Sequence, residues 1–218
     1  MAIRFDLLVF DWDGTLLDST GAIVDSVKAA CRDLDLPEPT DEHARQVIGL
    51  GLDDALRHST PGLSVDRFPQ MVERYRHHYL SRDHELNLFD GAAELIAELH
   101  ALGFVLTVAT GKSRQGLNRA MMHCGLGRYF SATRCADECF SKPHPQMLEE
   151  LMEEFAVPPA RVLMIGDTTH DLQMAINAGV AGLAVAYGAH SAGVLDTLSP
   201  LARVHNIAEL GAWLRTHA

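Results

Sequence analysis

Lysine is scarce in this chain. Only Lys28, Lys112 and Lys142 stand among 18 basic residues, and the rest are arginines. Positive charge as a whole is also short: 29 acids give a formal net charge of −11 at pH 7. Nucleic-acid binding draws its affinity from Lys and Arg neutralising phosphates, so this balance argues against a nucleic-acid partner. It leaves a small phosphorylated ligand open, because a bound metal ion reverses the charge a site presents. No acidic tail, basic arm, internal repeat or low-complexity stretch is present. Paired cysteines are missing too. Cys31, Cys124, Cys135 and Cys139 form no C-x-x-C and no usual zinc spacing, and read as free thiols of a reducing compartment. The opening MAIRFDLLVFDWDG has one Arg and a short apolar run broken by Asp6 and Asp11, which is neither a secretory leader nor a membrane span. The expectation is a cytoplasmic protein with no membrane partner.

What is there is an ordinary globular composition, 47% hydrophobic and 22% charged over 218 residues. That length suffices for one large α/β domain, or a core with a smaller insertion. Short apolar runs at 5–10, 104–109 and 162–166 read as buried strands, with 180–187 and 131–134 as further candidates. Helical patterns lie between them at 91–102, 114–123, 145–155 and 169–178. Asp90 is the expected N-cap of the first, and Gly103 its stop. Alternating strands and helices predict a parallel sheet of βαβ units, with ligands beyond the carboxyl ends of the strands. Residues 16–88 differ. They show helical stretches near 20–35, 41–47, 51–58 and 66–82 and no convincing strand, which reads as a helical insertion.

Four short segments carry chemistry. Asp11-Trp12-Asp13-Gly14-Thr15 puts two carboxylates at a strand end, where Gly14 permits a turn. One carboxylate can attack phosphorus beside a divalent cation while the other serves the leaving oxygen. The same residues also suit a polar turn. Thr110-Gly111-Lys112 offers a hydroxyl and a backbone N–H to phosphoryl oxygens, or a helix N-cap through Thr110 or Ser113. Ser141-Lys142-Pro143-His144-Pro145 places one of the three lysines before a helix, where a compact ammonium suits a crowded phosphate site. Gly166-Asp167-Thr168-Thr169-His170-Asp171 ends a strand in Asp167 and sets Asp171 in a first helical turn, where the helix dipole favours it in any case. Asp11, Asp167 and a backbone carbonyl fit the oxygen preference of magnesium. His77, His78 and His84 show no metal spacing and read as surface residues, with His170 a neighbour of the site.

In this order the four segments resemble the haloacid dehalogenase-like hydrolase superfamily over nearly the whole chain. Asp18-Ser19 and Ile48-Gly49-Leu50-Gly51-Leu52 look most like its phosphoglycolate phosphatase-like group. The resemblance implies a Rossmann-like, doubly wound core of residues 1–15 and 89–218, with a small all-helical cap domain at 16–88. It implies Asp11 as nucleophile and Mg2+ ligand. It implies Asp13 as general acid and then base, its carbonyl on the metal. Thr110 and the Gly111 N–H would bind the phosphoryl group, and Lys142 would pair with nucleophile and phosphate. Asp167 would ligate Mg2+ and Asp171 would ligate or support that shell. The activity implied is hydrolysis of a small phosphorylated substrate through an aspartyl-phosphate. Asp13 sets the chain apart from dehalogenases, which lack the second carboxylate, and Thr15 favours a phosphatase over a phosphomutase. A pyrophosphatase or nucleotidase is a further alternative. Arg45, Arg57 and residues 48–52 are the candidates for substrate choice.

Overall fold

The computed structural model describes residues 5–218, so the first four residues of the opening segment lie outside the described residues. Six parallel strands form one sheet: β1 Leu7–Phe10, β2 Val105–Thr110, β3 Ala132–Cys135, β4 Val162–Gly166, β5 Ala181–Val185 and β6 Ala202–Val204. Their order is β3-β2-β1-β4-β5-β6. This is the doubly wound, Rossmann-like arrangement, in which strands are added outward on one side from β1 to β3 and then on the other side from β4 to β6. Register is tight at the centre. Leu7 stands between Val105 of β2 and Val162 of β4, and Phe10 between Val108 and Ile165.

The apolar runs of β1 and β4 are wholly buried because helices cover both faces of the sheet. Leu8, Phe10, Leu163 and Ile165 pack against α5 (Ala92–Ala101), α6 (Arg114–Cys124) and α10 (Ile207–His217). Leu7, Val9, Val162 and Met164 pack against α7 (Gln146–Phe155) and α8 (Thr169–Asn177). Each such buried side chain contributes about 1.5–3 kcal/mol. That lets the sheet hold charged groups at its carboxyl edge without losing its core.

Between β1 and α5 the chain is helical: α1 Thr20–Asp33, α2 Asp41–Gln46, α3 Leu52–Ser59 and α4 Phe68–Leu80. These helices keep an apolar cluster of their own around Val27, Cys31, Leu56, Phe68 and Met71. No helix among the described residues is long and apolar enough to cross a membrane.

The structure corrects the sequence reading in three places. Asp90 is not the N-cap of α5; Gly91 is, at φ +83°, a left-handed position that glycine takes without strain. Strand β5 stops at Val185, two residues short of the apolar run. The chain continues through α9 (Ala192–Asp196), β6 and α10, none of which the strand and helix patterns had marked out.

Candidate active site

Asp11 directly follows β1, and its N–H donates to the Ile165 carbonyl at 2.9 Å, so pairing with β4 continues into the site. Asp167 directly follows β4, and Thr110 is the last residue of β2. Lys142 comes from the loop between β3 and α7, where the Lys142–Pro143 peptide is cis. Its Nζ lies 2.6 Å from Asp11 Oδ1 and 2.6 Å from Asp171 Oδ1. All three side chains are at most 1% exposed.

Each carboxylate has a distinct set of partners. Asp167 Oδ1 accepts from the Thr15 hydroxyl at 3.0 Å, and Oδ2 accepts from the Ala189 N–H at 2.6 Å. Asp171 Oδ2 accepts from the Thr168 N–H at 3.1 Å and hydroxyl at 2.7 Å, as the third residue of a capping box that starts α8. Asp13 Oδ1 accepts from Ser19 Oγ at 2.7 Å and Lys112 Nζ at 3.0 Å. Asp11 Oδ2, by contrast, is buried with no hydrogen-bond partner.

Fully ionised, three carboxylates and one ammonium would leave this buried cluster negative. Burial pushes Asp11 up to about 7, with Asp171 and Asp13 adding to the rise and Lys142 opposing it. Burial also drives Asp167 well above the carboxylate range, helped by Asp11 and Asp171 and resisted by the Ala189 N–H and Thr15. Lys142 is drawn down by burial, but Asp11 and Asp171 outweigh that, and the ammonium stays charged.

Oxygens of Asp11, Asp167 and Asp171 lie within 4.8 Å of one another. Three carboxylates whose oxygens lie this close, with one ammonium to offset them, form a hard oxygen donor set that fits a divalent cation such as Mg2+. The packing behind Asp167 is close. A Cβ on Gly188 would fall 2.2 Å from Asp167 Oδ2 and 2.4 Å from the Gly14 carbonyl.

A cavity of about 630 Å³ opens over these groups, lined by Asp11, Asp13, Thr110 and Gly111 below and by residues 47–56 of the helical insertion above. The insertion sits directly on the core there. A Cβ on Gly111 would lie 2.4 Å from the Leu50 carbonyl oxygen. The Gly51 N–H donates to Ser141 Oγ at 2.8 Å, and His170 Nε2 is 2.8 Å from the Gln46 carbonyl. His170 therefore belongs to the contact between insertion and core, and burial holds its pKa below the ordinary value.

Of the substrate-choice candidates, Ile48–Leu52 lines the cavity, whereas Arg45 and Arg57 do not. Arg45 reaches toward the Thr20 hydroxyl, and Arg57 lies 4.0 Å above the Phe68 ring. His77 and His84 are exposed, and His78 pairs with Asp33 at 2.8 Å. Ser113, not Thr110, caps α6, its hydroxyl accepting from the Gly116 N–H. Thr110 Oγ1 instead accepts from the Lys112 N–H at 3.2 Å.

Three neighbours of the candidate site had no role assigned from the sequence: Ser19, named only for the resemblance, Tyr79 and the side chain of Lys112. A signal for Lys112 was present. Of three lysines, Lys28 pairs with Asp41 at the surface, while Lys112 and Lys142 both sit among the carboxylates of the site. The scarcity that singled out Lys142 applied equally to Lys112.

Residues 8–185 match the haloacid dehalogenase-like hydrolase family. Over 211 residues the chain is 34% identical to "Probable phosphatase IndB" of Dickeya dadantii (strain 3937), covering 94% of this chain and 91% of that one. Over 191 residues it is 33% identical to the phosphoglycolate phosphatase of Vibrio vulnificus (strain CMCP6), covering 84% of each. The crystal structure of a predicted phosphoglycolate phosphatase from Haemophilus somnus 129pt superposes with a TM-score of 0.85 at 25% identity, covering 94% of this chain and 96% of that one. The chain therefore belongs to the haloacid dehalogenase-like hydrolases. Within them it falls in the phosphoglycolate phosphatase-like group.

Proposed function

We propose that this hydrolase cleaves a small phosphomonoester, phosphoglycolate-like in class, through an aspartyl-phosphate on Asp11 and with Mg2+ bound. The phosphatase relatives support phosphoric esters as the bond class. The observation that carries the mechanism is the free Oδ2 of buried Asp11, at the floor of a cavity that Asp13 also faces.

Asp11 Oδ2 attacks phosphorus, and the ester P–O bond breaks. The leaving oxygen takes a proton from Asp13, which becomes a carboxylate. Asp13 then removes a proton from water, the water oxygen attacks phosphorus, and the P–O bond to Asp11 breaks to release inorganic phosphate. Thr110 and the Gly111 N–H bind the phosphoryl oxygens as charge shifts among them. Lys142 holds Oδ1 of Asp11, so Oδ2 is the oxygen left to react.

The residues that would hold Mg2+ are Asp11, the Asp13 carbonyl and Asp167. The ion would neutralise charge on the phosphoryl oxygens. Asp171 supports that shell from behind. Its Oδ1 accepts from the Lys142 ammonium at 2.6 Å, so it acts as the anchor of the lysine. Residues 16–88 serve as a cap that excludes bulk water from the core of 1–15 and 89–218. Four free cysteines support a cytoplasmic setting.

Phosphate release from a panel of phosphomonoesters, with and without Mg2+, tests the reading. Wild type turns over with Mg2+, and Asp11→Asn loses on the order of a thousandfold or more. Equal rates in the two proteins would contradict it.

A further inference from the structure

Lys112 and Tyr79 take no part in the steps above, yet both are built against the acid. Lys112 Nζ lies 3.0 Å from Asp13 Oδ1 and 2.9 Å from Tyr79 Oη, with its side chain 10% exposed. Ser19 Oγ donates to the same Asp13 oxygen at 2.7 Å. Oδ1 thus faces two donors. An ammonium has no acceptor to offer, so a proton on Oδ1 would confront an N–H. Asp13 Oδ2 takes no hydrogen bond from the described residues and is not among the buried unpartnered atoms, and Asp13 lines the cavity.

The two partners come from different parts of the chain. Lys112 follows β2 in the core, whereas Tyr79 lies in the last turn of α4 in the insertion. Tyr79 is fixed by stacking on Tyr75 at 5.9 Å and 15°, and its ring centroid is 4.8 Å from Lys112 Nζ. The brace on Lys112 is therefore complete only when α4 sits on the core.

We propose that Lys112, braced by Tyr79, is a positioning residue that dictates which oxygen of Asp13 carries the transferable proton, making proton donation conditional on seating of α4. The inference rests on the reading of Asp13 as the acid. It predicts more than an ion pair holding two parts of the fold together, since such a pair would affect every substrate alike. A positioning residue for an acid matters most where the leaving group needs a proton.

The test compares kcat/KM for a small alkyl phosphate that the wild type hydrolyses, phosphoglycolate first, whose alcohol is a poor leaving group unless protonated, with that for 4-nitrophenyl phosphate, whose phenolate leaves without a proton. kcat/KM reports the steps up to P–O cleavage and is independent of later hydrolysis of the phosphoenzyme. Lys112→Met and Tyr79→Phe are expected to lower the alkyl value about ten- to a hundredfold, within the range a general acid supplies, and the aryl value by at most about threefold. Tyr79→Phe keeps the ring and its stacking, so it tests the hydroxyl even if Lys112→Met folds poorly. Equal losses on both esters would overturn the proposal. Asp13→Asn separates it from the reading beneath it. If Asp13→Asn is selective against the alkyl ester and the other variants are not, only the positioning role fails. If Asp13→Asn is unselective, the acid assignment fails and the positioning role with it.

Discussion

Lys142 is shared by two carboxylates at 2.6 Å and is fully buried with them. Removing one member of such a cluster strands charge in a medium that solvates it poorly. Lys142→Met is expected to cost about 3–5 kcal/mol in urea unfolding of the metal-free protein, as for other broken buried pairs. A loss below about 1 kcal/mol would show that the ammonium is not what holds Asp11 and Asp171 together. Gly188 gives a steric counterpart. Its added Cβ would meet both Asp167 Oδ2 and the backbone oxygen of Gly14, neither of which can swing away cheaply. Gly188→Ala is therefore expected to raise the half-saturating Mg2+ concentration by about tenfold or more, read from activity against metal concentration. At this scale much of the site was legible. Asp11 and Asp167 each end an all-apolar strand, where a carboxylate demands a partner. Lys112 was not, because its partners Asp13 and Tyr79 lie 99 and 33 residues away and no local pattern joins them.

Strand β2, its following loop and the segment 48–52 meet at Gly111. Its contact with the Leu50 and Gly49 carbonyls leaves no room for a side chain. Gly111→Ala is expected to lift residues 48–52 from the core, raising KM several-fold and speeding proteolysis within residues 46–52 while leaving global unfolding little changed. Unaltered proteolysis would place the insertion elsewhere in solution. Legibility at this scale followed burial. β1, β2 and β4 lie inside the sheet, so apolar runs marked them, interrupted in β2 only by Thr107 before its closing Thr110. The edge strand β6 has three residues, one of them Arg203, and gave no periodicity to read. Asp90 was mistaken for a cap because Asp ranks high at that position, but the chain needed a left-handed turn, which Gly91 supplies.

Across the whole molecule, folding pushes Asp11 from an ordinary value of 3.8 to about 7. Its folded pKa is raised, so its contribution is fully present below pH 3.8 and is lost as pH rises through about 7. Asp167 moves the same way. Without metal, the melting temperature is expected to fall between pH 5 and pH 8. Added Mg2+ is expected to restore most of that loss at pH 8 and little at pH 5, because its ligands must be deprotonated. A melting temperature that rises over this range without metal would contradict this account of the cluster. The α/β alternation was readable over most of the chain because it is written in strand-length apolar runs between helical periods. The cavity was not, because it exists only where residues 47–56 and three strand ends converge.

Every step of the proposed reaction depends on Asp11 taking the phosphoryl group. Rapid acid quench during turnover of a radiolabelled phosphomonoester that the wild type hydrolyses, followed by peptide mass spectrometry, tests it directly. One phosphoryl group is expected on the peptide that contains Asp11, labile to base and absent from Asp11→Asn. Turnover with no phosphopeptide in wild type, or label on any other residue, would contradict it.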